Sequence, residues 1–207
     1  MKIKFSILIL LIGLLLASCG NQLQLIPRAD ISLTLIESTK TKPDFDRSQI
    51  TVGASIDNDG QVGFLLTAVK FYVFSRPGSV AADIESYSID YFYADGTQIE
   101  TDTGSSMRGN VAVHVPAGWK CPTPAEGEPE VLVCGVNSRG AVAATSEAVV
   151  TNTFFAIDLD VINKLWNASD GIGRSGAYAM ITVEGTDANG NHFAIKMAPV
   201  TIIFISQ

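Results

Sequence analysis

Apolar residues alternate with polar ones at period two along most of this chain, broken every dozen residues or so by turn residues. That is the pattern of a strand with one buried face, and it leaves little room for any other fold. Ile31, Leu33 and Leu35 alternate with Ser32 and Thr34, and Ile50, Val52, Ala54 and Ile56 repeat the pattern before the turn Asp57-Asn58-Asp59-Gly60. Val69, Phe71 and Val73 share one face of a third strand that stops at Arg76-Pro77-Gly78. Tyr87, Ile89, Tyr91 and Tyr93 alternate with Ser86, Ser88, Asp90 and Phe92, and Ala94-Asp95-Gly96 turns the chain back through residues 97–100 as a hairpin. Val111, Val113 and Val115 mark a strand closed by Pro116; residues 131–136, a turn at 137–140 and a β-branched stretch through 148–154 follow. The last hairpin runs from 178 to 185, turns at Asp187-Ala188-Asn189-Gly190, and returns through 192–204.

One segment reads as helix, near 158–167, where Asp158 can cap and Val161, Ile162, Leu165 and Trp166 fall at helical spacing. About eight or nine strands and one short helix predict an all-β fold, an antiparallel two-sheet sandwich. In residues 87–99 and 178–204 an alternating strand runs into Asp-Gly or Asn-Gly and returns, and here the chain resembles the immunoglobulin-like and fibronectin type III-like domains of bacterial surface proteins. The resemblance implies an immunoglobulin-like sandwich. Trp119, beside Cys121, departs from the Cys…Trp…Cys arrangement of antibody domains.

The N-terminus has the three-part form of a secretory signal: Lys2 and Lys4, then an apolar run from residue 5 to 16. A dozen apolar residues are too few to span a bilayer, which needs roughly 20 in a helix. Leu16-Ala17-Ser18-Cys19 fits the cleavage box of the bacterial lipoproteins at every position, and in this segment the chain resembles that family. The resemblance implies that residues 1–18 are a signal peptide and that Cys19 carries a diacylglyceryl group on its thiol and becomes the new N-terminus, with palmitate-type acylation of its amine as a further step. An ordinary secretory signal with a fortuitous cysteine, or an uncleaved helix, are the alternatives. Two or three acyl chains anchor firmly where one holds only marginally. Gly20 stands where an Asp would favour retention in an inner membrane, so an outer membrane is the expected address if the organism has one.

Removing residues 1–18 leaves 189 residues, expected as a short tether over 19–29 and a single β-sandwich domain over 30–207. It also removes Lys2 and Lys4, taking the formal charge from −7 to −9. So acidic a body argues against nucleic acid or anionic lipid as an electrostatic partner, which leaves lipid as the means of membrane attachment. With Cys19 lipidated, Cys121 and Cys134 are the remaining thiols of an exported protein, and a structural disulfide across the Pro- and Gly-rich segment between them is the expectation, with two free thiols as the alternative.

Catalytic groupings are hard to assemble from this sequence. Gly171-Ile172-Gly173-Arg174-Ser175-Gly176 matches G-x-G-x-x-G but follows a polar loop and precedes a strand, the reverse of a dinucleotide site. His114 and His192 are the chain's two histidines, and alternation puts His114 on the solvent side of its strand. The Asp158/Asp160 and Asp57/Asp59 pairs could do acid–base work, and read more simply as cap and turn residues. Asp57, Asp59, Asp187 and Asn189 cluster oxygen ligands in turns and are weak calcium candidates, without the distal Glu of an EF-hand. Tyr87, Tyr91, Tyr93, Trp119 and Phe92 are candidates for an aromatic binding face, against packing in the core. No cofactor is implied. The expected protein is a lipid-anchored, non-catalytic interaction or structural module of the cell envelope with a protein or glycan partner; the alternative is a lipid-anchored hydrolase acting on envelope glycan with carboxylates that the sequence does not pair, for which Asp158, Asp160, Asp187 and His192 are the positions to substitute.

Overall fold

The computed structural model describes residues 28–43, 48–101, 104, 106–120, 140–141, 148–168 and 176–206. Strands dominate it: β1 (Ile31–Glu37), β2 (Gln49–Ile56), β3 (Val62–Leu66), β4 (Val69–Ser75), β5 (Ala82–Phe92), β6 (Ser106–Val115), β7 (Trp119–Lys120), β8 (Gly140–Ala141), β9 (Val149–Val150), β10 (Tyr178–Asp187), β11 (His192–Lys196) and β12 (Val200–Ser206), with one helix, α1 (Leu159–Ala168). The fold is all-β with one short helix, as the alternation requires.

The strands form a three-stranded sheet in the order β1-β4-β9 and a larger, curled sheet in the order β3-β2-β12-β10-β5-β6, with β11 also on β10; β7 and β8 pair apart from both. Ile31, Leu33 and Leu35 of β1 register with Ser75, Val73 and Phe71 of β4, so these alternate residues turn one apolar face inward. Opposite them, Tyr87, Ile89 and Tyr91 of β5 and Ala179, Ile181 and Val183 of β10 are buried. Phe71, Tyr87 and Phe154 join the two sheets, with ring centroids 4.5–5.6 Å apart. Helix α1 adds Val161, Ile162 and Leu165 to the same core, and Asp158 accepts the Val161 N–H at 2.9 Å as its cap. Trp166 closes the helix over Phe64 and Phe204 at 5.5 and 5.9 Å.

Two features depart from the pattern read in the sequence. Pairing among the described strands is not antiparallel throughout, because β12 runs parallel to β2 from Thr201↔Gln49 to Ser206↔Ala54. The run 192–204 is not one strand: Pro199 has no N–H to give the ladder, β11 stops at Lys196, and β12 meets β10 only at Val200 and Thr201 before leaving it for β2. The second departure is a pair of register shifts. Glu85 is an extra residue between Ile84↔Gly185 and Ser86↔Glu184, and β6 carries its own extra residue between Val113 and Asn110. Ala82 and Ile84 therefore face the core on even numbers, Tyr87, Ile89 and Tyr91 on odd ones.

The chain enters the body at a fixed point. The Asp30 N–H donates to Ser79 Oγ at 2.8 Å, the Arg76 N–H donates to the Asp30 carbonyl at 2.8 Å, and Ala29 donates its N–H to the Asp187 carboxylate.

Candidate interaction surface

On the side of β11, β10, β5 and β6 turned away from the core, the register lines up residues in rows, all polar or charged except Ala194. His192, Thr186, Asp83 and His114 form one row; Ala194, Glu184, Ser86 and Asn110 the next; Lys196, Thr182, Ser88 and Arg108 a third. The bulge at Glu85 breaks the ladder between the first two rows and adds a carboxylate at the break. Gly185 makes the close approach possible, since a Cβ there would lie 2.2 Å from the Asp83 carbonyl oxygen.

Two shallow hollows flank the Ser86–Glu184 pair. One, of about 410 Å³, is lined by Ser86, Tyr87, Ser88, Arg108, Gly109, Asn110 and Glu184. The other, of about 440 Å³, is lined by Glu85, Glu184, His192 and Phe193 among others. On the core side beneath the first, the Tyr87 ring packs over Gly109, its cross-strand partner, where a Cβ would sit 2.4 Å from the phenol oxygen. In the second, Thr186 Oγ1 donates to Glu85 Oε1 at 2.9 Å and lies 3.2 Å from His192 Nδ1. At the margin, His114 Nδ1 meets Asp83 Oδ1 at 2.8 Å with both side chains about two-thirds exposed. Such a face offers hydrogen-bonding groups at many points, with apolar surface from Phe193 and Ala194 in the second hollow.

The residues singled out from the sequence scatter over other elements. Asp158 caps α1, and Asp160 pairs with Lys164 at 3.0 Å one turn on. Asp57 Oδ1 accepts the N–H groups of Asp59 and Gln61 and so holds the β2–β3 turn. Asp187 Oδ1 accepts the N–H groups of Asn189 and Asn191 at 2.9 Å, and the Asn191 amide meets both carboxylate oxygens. Burial pushes the Asp187 carboxyl up; the bonds from Asn191, Asn189 and Ala29 outweigh that and hold it below the ordinary carboxylate value. Among the described residues no three His, Cys, Asp or Glu side chains are placed to hold a metal ion. Tyr87 and Tyr91 are buried and Tyr93 is half-buried, Phe92 stacks outside on Tyr178 at 5.2 Å, and Trp119 lies in β7, so the five aromatic candidates do not share a face. Of the four residues weighed for hydrolysis, His192 lines one of these two hollows and Asp158, Asp160 and Asp187 line neither. Cys19, Cys121, Cys134 and residues 171–175 lie outside the described residues.

Sequence reading missed Glu85, Glu184 and Arg108. Each is an ordinary polar residue on the solvent side of a strand, and only the bulge and the pairing of non-consecutive strands bring them together; the one local signal was Gly185 within an alternating run. No helix among the described residues is long and apolar enough to cross a membrane. The sequence matches no protein-family model and no curated protein.

Proposed function

We propose that this is a lipid-anchored protein of the bacterial cell envelope, held by Cys19, that acts as a non-catalytic interaction module with an immunoglobulin-like two-sheet body, and that docks a protein or glycan on the outward face of β11, β10, β5 and β6. The observation that carries the reading is that face: three registered rows of side chains, polar or charged except at Ala194, over two hollows that share Ser86 and Glu184. The lipobox supports the anchor, and the fixed entry at Ala29 and Asp30 supports a body held close to its membrane. The three-stranded sheet stacked on the larger one supports the sandwich.

A photo-crosslinking residue placed at Ser88 in intact cells is expected to capture one discrete partner, and the same residue at Thr34, outward on β1, is not. Arg108→Ala should weaken that capture. Equal capture from both positions would defeat the assignment of the face. One observation favours the second reading, a glycan hydrolase: Glu85 and Glu184 line the same hollow. Glycan turnover by the purified protein that is lost in both Glu85→Gln and Glu184→Gln would establish it.

A further inference from the structure

Strand β3 is an edge strand whose only pairing among the described residues is with β2. Natural edges are guarded by charge, proline or bulges. The opposite end of this sheet, β6, carries Arg108 and His114, and β11, which pairs with β10 off the main path, carries Lys196 and ends near Pro199. By contrast, residues 60 to 69 contain no charged residue, in a chain of formal charge −7. Leu65 is 59% exposed, and its outward row continues across β2 and β12 as Leu65, Gly53 and Ile205, the last 44% exposed.

The hydrogen-bond phase of the hairpin fixes which backbone groups are available. The Asp57 N–H donates to the Gln61 carbonyl, so the next bonded pairs toward the sheet are Ser55–Gly63 and Gly53–Leu65. Val62, Phe64 and Leu66 are left with their N–H and C=O groups pointing out of the edge. An identical strand laid antiparallel with Phe64 opposite Phe64 meets all three: Val62 faces Leu66, Phe64 faces its copy, and Leu66 faces Val62, giving about six new hydrogen bonds. In that register each Leu65 lies directly across from the exposed Gly63 of the other copy, so the protruding apolar side chain of one strand fills the gap left by the other. A one-residue slip would set these backbone groups against the wrong partners.

We propose that β3 is a self-association edge: a second copy of this chain adds its own β3 antiparallel, centred on Phe64, to make one sheet continuous across a two-fold dimer. The strand fits its own copy because it is uncharged, so two acidic bodies meet where neither carries charge, and because the Leu65 and Gly63 shapes interchange under the two-fold axis.

The test uses the full-length chain. Gly63→Cys with Leu65→Cys, oxidised in the membranes of the producing cell and mapped by peptide mass spectrometry, should give a disulfide between position 63 of one copy and 65 of another, since directly opposed non-bonded pairs lie about 4.5 Å apart at Cα. Leu65→Cys alone should give no 65–65 link. In detergent the parent should sediment with two chains per particle, and Leu65→Lys with one, its circular dichroism unchanged because the site is exposed. A single-chain parent, a Leu65→Lys protein that still pairs, a 65–65 link, or a link to a different protein would each overturn the proposal. The number of chains per sedimenting particle is read on the purified protein whether or not Cys19 is acylated, so failure of the anchor leaves that result standing.

Discussion

Replacing Tyr91 by Phe removes a single oxygen from the centre of the fold, and the surroundings of that oxygen set the cost. The Tyr91 ring is fully buried and its hydroxyl donates to the Ala156 carbonyl at 3.0 Å, just before the Asp158 cap of α1. Ala156 is itself 1% exposed, so the Phe variant leaves a buried acceptor without this donor. The loss should be about 2 kcal/mol, or roughly 4–8 °C in melting temperature for a protein of this size. The pH dependence is the sharper prediction. Burial first, and then the negative charge of Asp158, raise the Tyr91 phenol well above its ordinary value of 10.0. The folded state thus holds this proton more tightly than the unfolded chain does. Its contribution is complete below pH 10 and is lost as pH rises above it, at about 1.4 kcal/mol per pH unit. Tyr91→Phe has no such proton, so the gap between parent and variant should narrow above pH 10 and close by about pH 11.5. Urea unfolding followed by far-ultraviolet circular dichroism at pH 7, 9, 10 and 11 measures it. A gap that stays constant over that range would refute the argument, as would a variant as stable as the parent at pH 7.

Asp187→Ala should cost about 2 kcal/mol at pH 7, since the carboxylate holds the β10–β11 turn and Ala29 together. Because its folded-state value is depressed, the parent's advantage is complete above about pH 4 and should shrink as pH falls below that; a difference in chemical denaturation that stays undiminished as pH is lowered below 4 would contradict this. Gly118→Ala should destabilise by about 2–4 kcal/mol, because its Cβ would lie 1.8 Å from the Arg76 carbonyl oxygen and part the Gly78–Gly118 and Gly118–Ser79 hydrogen bonds. Gly78→Ala, with open space but a φ of 91°, should cost only about 1 kcal/mol, and thermal melts that reverse this order would show the contact to be misjudged.

What the sequence revealed and what it hid divide along local and non-local physics. The strands around Ile31, Val52, Phe71, Tyr91 and Ile181 were legible because each buries one face, and burial writes itself into every second residue. Asp158 and the turns at Asp57 and Asp187 were legible because a short side-chain oxygen there completes a backbone hydrogen bond nearby. Strand β3 was not, since Val62-Gly63-Phe64-Leu65-Leu66 lacks alternation and owes its place to pairing with β2. The extra residue at Glu85 was hidden for a related reason: it reverses the phase within a strand, and only its neighbours on β10 and β6 reveal where the count slips. The candidate surface depends on that slip, and so had no signature along the chain.

With the proposed anchor at Cys19, the grip on residues 29 and 30 would make the segment before them a ruler. If lipid sits at Cys19, the ten or so residues before Asp30 set the greatest separation, about 35 Å at full extension. Under that anchoring, residues added there would let the body stand up to about 3.3 Å farther out apiece while leaving every contact within it untouched, so its altitude above the bilayer would follow the length of that segment and vary independently of the fold it carries.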